Sequence, residues 1–415
     1  MNRAIAAAVV LAVLPGLTSG AMGAHSASSP EKNLPSVAEA RAIGERIEHV
    51  IGDNDPAAFN ELFDMDGLLA VVTRGKLLGG EHARAFAEGI RDNFHPAEPI
   101  CWSVQSGGRY KLLRIGLVDG RRTVLFRLTC DTRPMTYHRW CLDRNADGGV
   151  RIVDSYVYAE GERFSDRMRR VYLVCAADAD PRVRGGLAPW VRDFADHGGA
   201  YRRMPLLIAR GAHAEALKIY SSLPASVQSM KVVLIQRARA ASGVSDQAYN
   251  DAAKAFARAF GDDPAVDLIS VDRNFARKRY DQAVAAIDRV EHKIGPDPYL
   301  NLLRANAYWQ AGQLDNAKVS ADRAARGEPD LLDAHRILLA VSLREEDFDR
   351  TVDVLTVLHE RFGLRVSGLT ESPEYARFVE SDAYKRWTRR RAGDAVKAPV
   401  RRPACEDESV RPPSG

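Results

Sequence analysis

A spacing of 34 residues constrains this chain more than any other feature. Tyr280, Ala283, Ile287 and Val290 recur in register as Leu314, Ala317, Ala321 and Ala324, and again as Phe348, Thr351, Leu355 and Leu358. Steps of three and four within each set place those side chains on one helix face. Units this short bury too little of their apolar stripe alone, so copies must stack on one another. A weaker copy begins at Ala209-Arg210-Gly211 and continues through Ala216, Tyr220, Leu223 and Pro224. Residues 238–260 read as a further copy with its register shifted.

The best copy carries Ala305, Tyr308, Ala317, Ala321, Ala324 and Pro329, with Gly312 at the turn. These offsets resemble the tetratricopeptide repeat, over residues 206–365. The resemblance implies four or five helix pairs stacked into a solenoid, with the first helix of each pair lining a concave groove. By register the groove positions include Asp272, Phe275, Tyr299, Leu302, Asn306, Trp309, Gln310, Arg336 and Arg344. Asn306 and Gln310 suit a peptide backbone, Trp309 an apolar side chain, and the arginines acidic groups. A capping helix is expected at 366–388, starting at Ser372-Pro373 and carrying Tyr375, Phe378, Tyr384 and Trp387. The Arg- and Pro-rich tail, 389–415, reads as disordered.

The other end opens as an export signal. Arg3 precedes an apolar run at 4–14 and a small, turn-prone stretch to 24, so residues 1–24 read as a signal peptide. That run falls short of the about 20 residues a membrane span needs, and no cysteine stands near the cleavage site to take a lipid. The mature chain is expected in the periplasm or outside the cell, with no integral membrane segment. A linker at 25–35 leads to three helical patterns, the first capped by Ser36, the second starting at Asp55-Pro56 and reaching Phe63, the third near 81–94. Stretches 110–118, 123–130, 136–142 and 150–158 then read as antiparallel strands, with Asp119-Gly120 and 145–149 as hairpin turns. Helices followed by a strand meander indicate an α+β domain over 36–165, in which helices pack on a curved antiparallel sheet. Connecting helices fill 166–205.

This order of elements resembles the cone-shaped fold of the nuclear-transport-factor-2-like family, some of whose members are isomerases or dehydratases. The likeness implies a cone interior able to hold a small ligand. Candidates for such a pocket are Arg127, Tyr137, Asp154 and Tyr156, with His138 beside them. Alternation puts Asp154 and Tyr156 on one face, opposite Val153 and Val157. The structural use of Arg127 and Asp154 is an ion pair across strands. Asp143, Asn145, Asp147 and Gly148 match the first half of a calcium loop, but their flanks read as strands and a hairpin turn wants the same residues.

The formal net charge of +4, from 59 basic against 55 acidic residues, argues against a nucleic-acid binder. Cys101, Cys130, Cys141 and Cys175 cluster in the first half, where an oxidising compartment would let them form a disulfide, and Cys405 stands alone in the tail. No zinc-helix, nucleophile-elbow, phosphate-loop or dinucleotide motif is present in the sequence. The reading is a non-enzymatic scaffold without cofactor or metal that binds a protein or peptide of the cell envelope through its repeats. The alternative is a small-molecule-binding or isomerase- or hydrolase-like N-terminal domain that the repeats recruit to a partner.

Overall fold

The computed structural model describes residues 34–130, 133–364 and 368–395. The leader at 1–24, most of the 25–35 linker and the tail beyond 395 lie outside the described residues. The chain divides into two units, Met1–Ile269 and Ser270–Gly415.

In the first unit, helix α1 (Val37–Gly52) starts on a capping box. The Glu39 amide donates to the Ser36 hydroxyl at 3.2 Å and the Ser36 amide to the Glu39 carboxylate at 2.8 Å, which satisfies two otherwise orphaned donors. Asp55 and Asp64 cap α2 (Pro56–Asn60) and α3 (Met65–Val72) by accepting the amides of Ala58 and Gly67. The helix expected to reach Phe63 stops at Asn60 because the following backbone pairs with the sheet. Ile152 donates to the Leu62 carbonyl and Asp64 to the Ile152 carbonyl, both at 2.8 Å. Helices α4 (Gly80–Asn93) and α5 (Glu98–Gln105) complete the layer, α5 being one that the apolar pattern did not announce.

Strands β1 (Arg109–Val118), β2 (Arg121–Cys130), β3 (Arg133–Arg144), β4 (Val150–Val157) and β5 (Glu162–Arg163) form one antiparallel sheet in chain order. Asp119 and Gly120 both take positive φ, 51° and 73°, as a two-residue hairpin requires. The Asp143–Gly148 pattern closes the β3–β4 hairpin, where Asn145 donates to the Gly149 carbonyl at 2.9 Å and Gly148 to that of Asn145 at 3.0 Å. Tyr110, Val124, Phe126, Trp140, Leu142 and Ile152 carry one sheet face into a core with Ile47, Ile51, Phe59, Leu68 and Phe86. Among the described residues Cys101, Cys141 and Cys175 are not joined in a disulfide. Cys101 belongs to the helix-covered core, whereas Cys141 pairs across strands with Asp154 and Thr123 on the other side of the sheet.

Beyond the sheet the first unit is helical: α6 (Phe164–Ala179), α7 (Pro181–Gly186), α8 (Pro189–Ala209), α9 (His213–Ser222), α10 (Ala225–Gln228), α11 (Lys231–Ser242) and α12 (Asp246–Phe260). Helix α13 (Ala265–Ala276) spans the division at Ile269. The second unit continues with α14 (Tyr280–Ile294), α15 (Pro298–Gln310), α16 (Leu314–Gly327), α17 (Leu332–Arg344) and α18 (Phe348–Phe362). Here α14 packs on α15, α15 on α16, α16 on α17 and α17 on α18, while α15 also reaches α17. Among the described residues no helix is long and apolar enough to cross a membrane.

Helices α12, α14, α16 and α18 begin at Asp246, Tyr280, Leu314 and Phe348, and the helices before them end at Ser242, Ala276, Gln310 and Arg344. Both series step by 34 residues, so the shift in register expected for 238–260 is absent. Three of the four intervening turns close identically. Gln313 donates to the Tyr308 carbonyl at 2.8 Å and Gly312 to that of Trp309 at 3.0 Å. Arg279 and Lys278 do the same to Asn274 and Phe275, as do Asp347 and Glu346 to Ser342 and Leu343. This is a left-handed helix C-cap, with φ of 56° at Lys278, 73° at Gly312 and 57° at Glu346. The equivalent position in the fourth turn is Val244, whose branched Cβ makes positive φ a severe outlier. That turn closes differently, with the Val244 and Ser245 amides both donating to the Ala241 carbonyl and Ser245 capping α12.

The chain's last described segment is not the single helix expected from Ser372. Two 3-10 turns, Leu369–Glu371 and Pro373–Tyr375, precede α19 (Ala376–Glu380) and α20 (Asp382–Ala395). Ser381 breaks the run in extended conformation, and its hydroxyl accepts the Tyr384 amide at 3.2 Å. Tyr375, Phe378 and Trp387 join the core that α15 to α18 build, and Phe378 stands 5.8 Å from Phe348.

The left-handed positions yield a direct test. Lys278→Gly removes a Cβ clash and is expected to raise stability by about 1 kcal/mol, whereas Gly312→Ala introduces one and lowers it by about 1–2 kcal/mol. Urea unfolding of the two variants beside the parent measures both.

Candidate functional site

Cross-strand register decides which sheet residues share a face. Val124, Phe126, Trp140, Leu142 and Ile152 point into the helix-covered core. Arg127 pairs with Tyr137, and Asp154 with Cys141, in the alternate rows. The register shifts at Cys141/Leu142, leaving Val153 as the extra residue of β4, so that Ser155 and Val157 lie opposite Asp154 and Tyr156. The four pocket candidates Arg127, Tyr137, Asp154 and Tyr156 therefore face away from the domain's interior. Of the sequence candidates, only His138 lies inside.

Asp154, Tyr137 and Tyr156 each have a structural use. Asp154 accepts the Ser155 amide at 2.8 Å, and the amide and hydroxyl of Ser165 at 3.1 and 2.5 Å. Its carboxylate thus sits at the N-terminus of α6, where the helix dipole favours an anion. Burial raises its pKa while the Ser165 bonds pull the other way. Arg127 and Asp154 occupy different cross-strand rows, which removes the ion pair considered between them. Tyr137 is fully buried, with its ring 6.1 Å from that of Tyr158. Tyr156 donates its hydroxyl proton to Asp263 and accepts from the Lys231 ammonium at 2.8 Å. Burial first, and then Asp263, push that phenol's pKa upward, so Tyr156 is a held donor and no base.

The same region joins sheet to helices. Lys231, Ile235 and Arg239 lie on one face of α11. Arg239 donates to the Ala159 carbonyl at 2.6 Å. Gly161, at φ +67°, leaves no room for a side chain, since a Cβ there would stand 2.6 Å from the Ile235 Cδ1. Glu162 of β5 is buried and accepts from Arg167 and Arg170 of α6 at 2.9 and 3.0 Å.

The interior joins His138 to two residues that sequence reading missed, Tyr110 and Trp140. Trp140 donates its indole N–H to the Tyr110 hydroxyl at 2.7 Å, which lies 3.1 Å from the His138 Nδ1. Tyr110 stacks on Phe126 at 4.6 Å, and Phe59, Phe63 and Phe164 surround Trp140. Burial pushes the His138 pKa down to about 4 and raises that of Tyr110. His138 and Trp140 stand two apart on β3, so alternation along that strand was the signal that could have placed Trp140 beside His138.

In the second unit the groove candidates separate by exposure. Asn306, Gln310 and Arg344 are exposed, as is Asp272, and Tyr299 and Phe275 are half-buried. Leu302 and Trp309, expected as lining residues, are packed into the core because α15 lies against α17 there. Arg336 is held by Asp333 at 3.2 Å instead of standing open. Arg344, at the end of α17, spreads its guanidinium over the Trp309 ring at 5.3 Å, a cation–π contact. The Trp309 indole N–H is buried without a hydrogen-bond acceptor among the described residues. Asn306 and Gln310, on either side of Trp309 along α15, complete a polar face above a buried indole. Comparison with protein-family models, curated proteins and solved structures returned no match.

His138 predicts an acid limit. Its folded-state pKa lies below the unfolded value, so its contribution is complete above about pH 6.5 and is lost as pH falls toward 4. Unfolding free energy should drop by about 3 kcal/mol across that window, and His138→Gln should flatten the drop in pH-dependent denaturation.

Proposed function

We propose that this chain is an exported, non-enzymatic adaptor whose helix pairs stack as a tetratricopeptide-type solenoid and bind a peptide segment of a protein in the cell envelope. The observation that carries this reading is the 34-residue recurrence of helix starts, helix ends and left-handed turns between Lys231 and Phe362. Such units build extended binding surfaces by repetition. The working surface is the face of α15 and α17 that bears Asn306, Gln310 and Arg344. Two amides there supply donors and acceptors for an extended backbone, and the guanidinium supplies charge. The opening segment 1–24, with its arginine, apolar run and small residues, supports export. The competing small-molecule reading loses support in the first domain, whose interior is filled by aromatic rings and whose candidates Asp154, Tyr137 and Tyr156 are engaged elsewhere.

The test is capture from an envelope extract by the mature chain and by a variant carrying Asn306→Ala, Gln310→Ala and Arg344→Ala. All three side chains are exposed, so the variant should keep the parent's circular dichroism and melting temperature. A species retained by the parent and lost from the variant is the expected result. Equal capture by both would remove this face from the mechanism.

A further inference from the structure

We infer that the basic C-terminal segment, residues 382–402, is a peripheral docking site for an anionic phospholipid surface. Helix α20 and the seven residues after it hold eight of the chain's 59 basic residues and two of its 55 acidic ones. These 21 residues carry +6, while the rest of the chain, with 51 basic against 53 acidic residues, carries −2. Charge of one sign gathered at one end of a chain otherwise near neutrality makes a local field that attracts an anionic partner.

The helix is seated so as to present this charge. Ala383 and Trp387 are buried, and the Trp387 ring lies 6.4 Å from that of Phe378 and 6.1 Å from that of Tyr384, in the core that α15 to α18 build. That anchor leaves Asp382, Lys385, Arg386 and Arg389, spaced three and four apart, exposed on the opposite side. Lys385 meets Asp382 at 3.5 Å and Arg386 meets Asp349 at 2.7 Å, with both partners of each pair more than half exposed. Such surface pairs are worth little and exchange for other anions at small cost. Arg390 and Arg391 follow in sequence, then Lys397, Arg401 and Arg402. The acidic run Glu406 to Glu408 comes after them. Four residues reach about 13 Å, which lets Arg402 and Glu406 stand farther apart than the Debye length of about 8 Å.

Three features select lipid headgroups. Among the described residues the exposed face of α20 carries no large apolar side chain, so the contact is electrostatic and stays at headgroup level. The basic residues come as pairs, a triplet and a single position, without a fixed spacing. Laterally mobile phosphates can meet such an array one by one, whereas carboxylates fixed on a folded protein must match it. Export, as proposed above, separates the chain from nucleic acid, and the choice of lipid rests on that part of the reading.

Sedimentation of the mature chain with vesicles tests this. Phosphatidylcholine vesicles with about one phosphatidylglycerol in three should bind it at least about tenfold more tightly than phosphatidylcholine alone, and release it in about 1 M salt. Arg389→Gln with Arg390→Gln and Arg391→Gln should weaken binding about a hundredfold, since each basic residue contributes about fivefold. Lysine at the same three positions should preserve it. Lys397→Gln with Arg401→Gln and Arg402→Gln, beyond the helix, should weaken it similarly and decides the matter even where the first variant fails to fold. The variant Asn306→Ala, Gln310→Ala and Arg344→Ala should bind vesicles as the parent does, which keeps a failure of the peptide surface distinct from a failure here. Equal binding to both vesicle types overturns the inference, as does a preference unchanged in both glutamine variants. In fractionated cells the native chain should sediment with membranes and leave them in high salt. Release by nuclease instead also overturns the inference and assigns the segment to nucleic acid.

Discussion

The contact between the turn after β4 and one face of α11 is the constraint on which the first unit depends. It combines a carbonyl bond to Arg239, a glycine that admits Ile235, and a tyrosine hydroxyl between Lys231 and Asp263. Each part is sensitive to position. A glycine at positive φ tolerates the close approach that no other residue does, and a buried hydroxyl between an acid and an amine is satisfied only if all three stay in place. Because these contacts form, the outer rows of the sheet serve as an internal surface, which is why their charged and phenolic residues are structural. Polar residues on a sheet face signal a pocket only when nothing else of the chain covers them.

Breaking the contact would leave more than a lost hydrogen bond. Glu162 next to it is buried with two arginines, and removing one partner of such a cluster leaves an uncompensated charge. The sheet layer and the first helices therefore behave as a single body, although the sequence reads most naturally as an α+β domain followed by separate helices.

What the sequence made legible was what repeats or alternates. Strands β1 to β4 were readable because branched and aromatic residues alternate within them and Asp119-Gly120 is a turn with a mechanism. Helices α14, α16 and α18 were readable because their buried positions recur at one spacing. Illegible were the features set by tertiary context. The stop of α2 at Asn60 depends on Ile152, far along the chain, which claims the next backbone groups. Trp309 looked like a surface anchor because register places it on the lining side, yet packing of α15 on α17 buries its ring. Val244 shows the converse. Its period is kept by the helices around it even though its own residue type forbids the turn used elsewhere. The face of Asp154 could not be derived because a single extra residue in β4 changes the parity of everything before it.

The strand order of the sheet equals the order of the strands in the chain, and the helices of the second unit pack chiefly on their successors. Most contacts are thus local in sequence, and loop-closure entropy is paid in small instalments. Local topology is the main determinant of fast folding. Exceptions include Glu39 with Arg144, 105 residues apart, the Leu78 amide with the Tyr172 hydroxyl, 94 apart, and Tyr156 with Asp263, 107 apart. A chain that emerges from a ribosome from its N-terminal end can form most of its hairpins and helix pairs as they appear. The junction at Asp263 must wait for the helices that follow, as the end of α2 waits for Ile152, and such steps are where the kinetics of assembly would be decided.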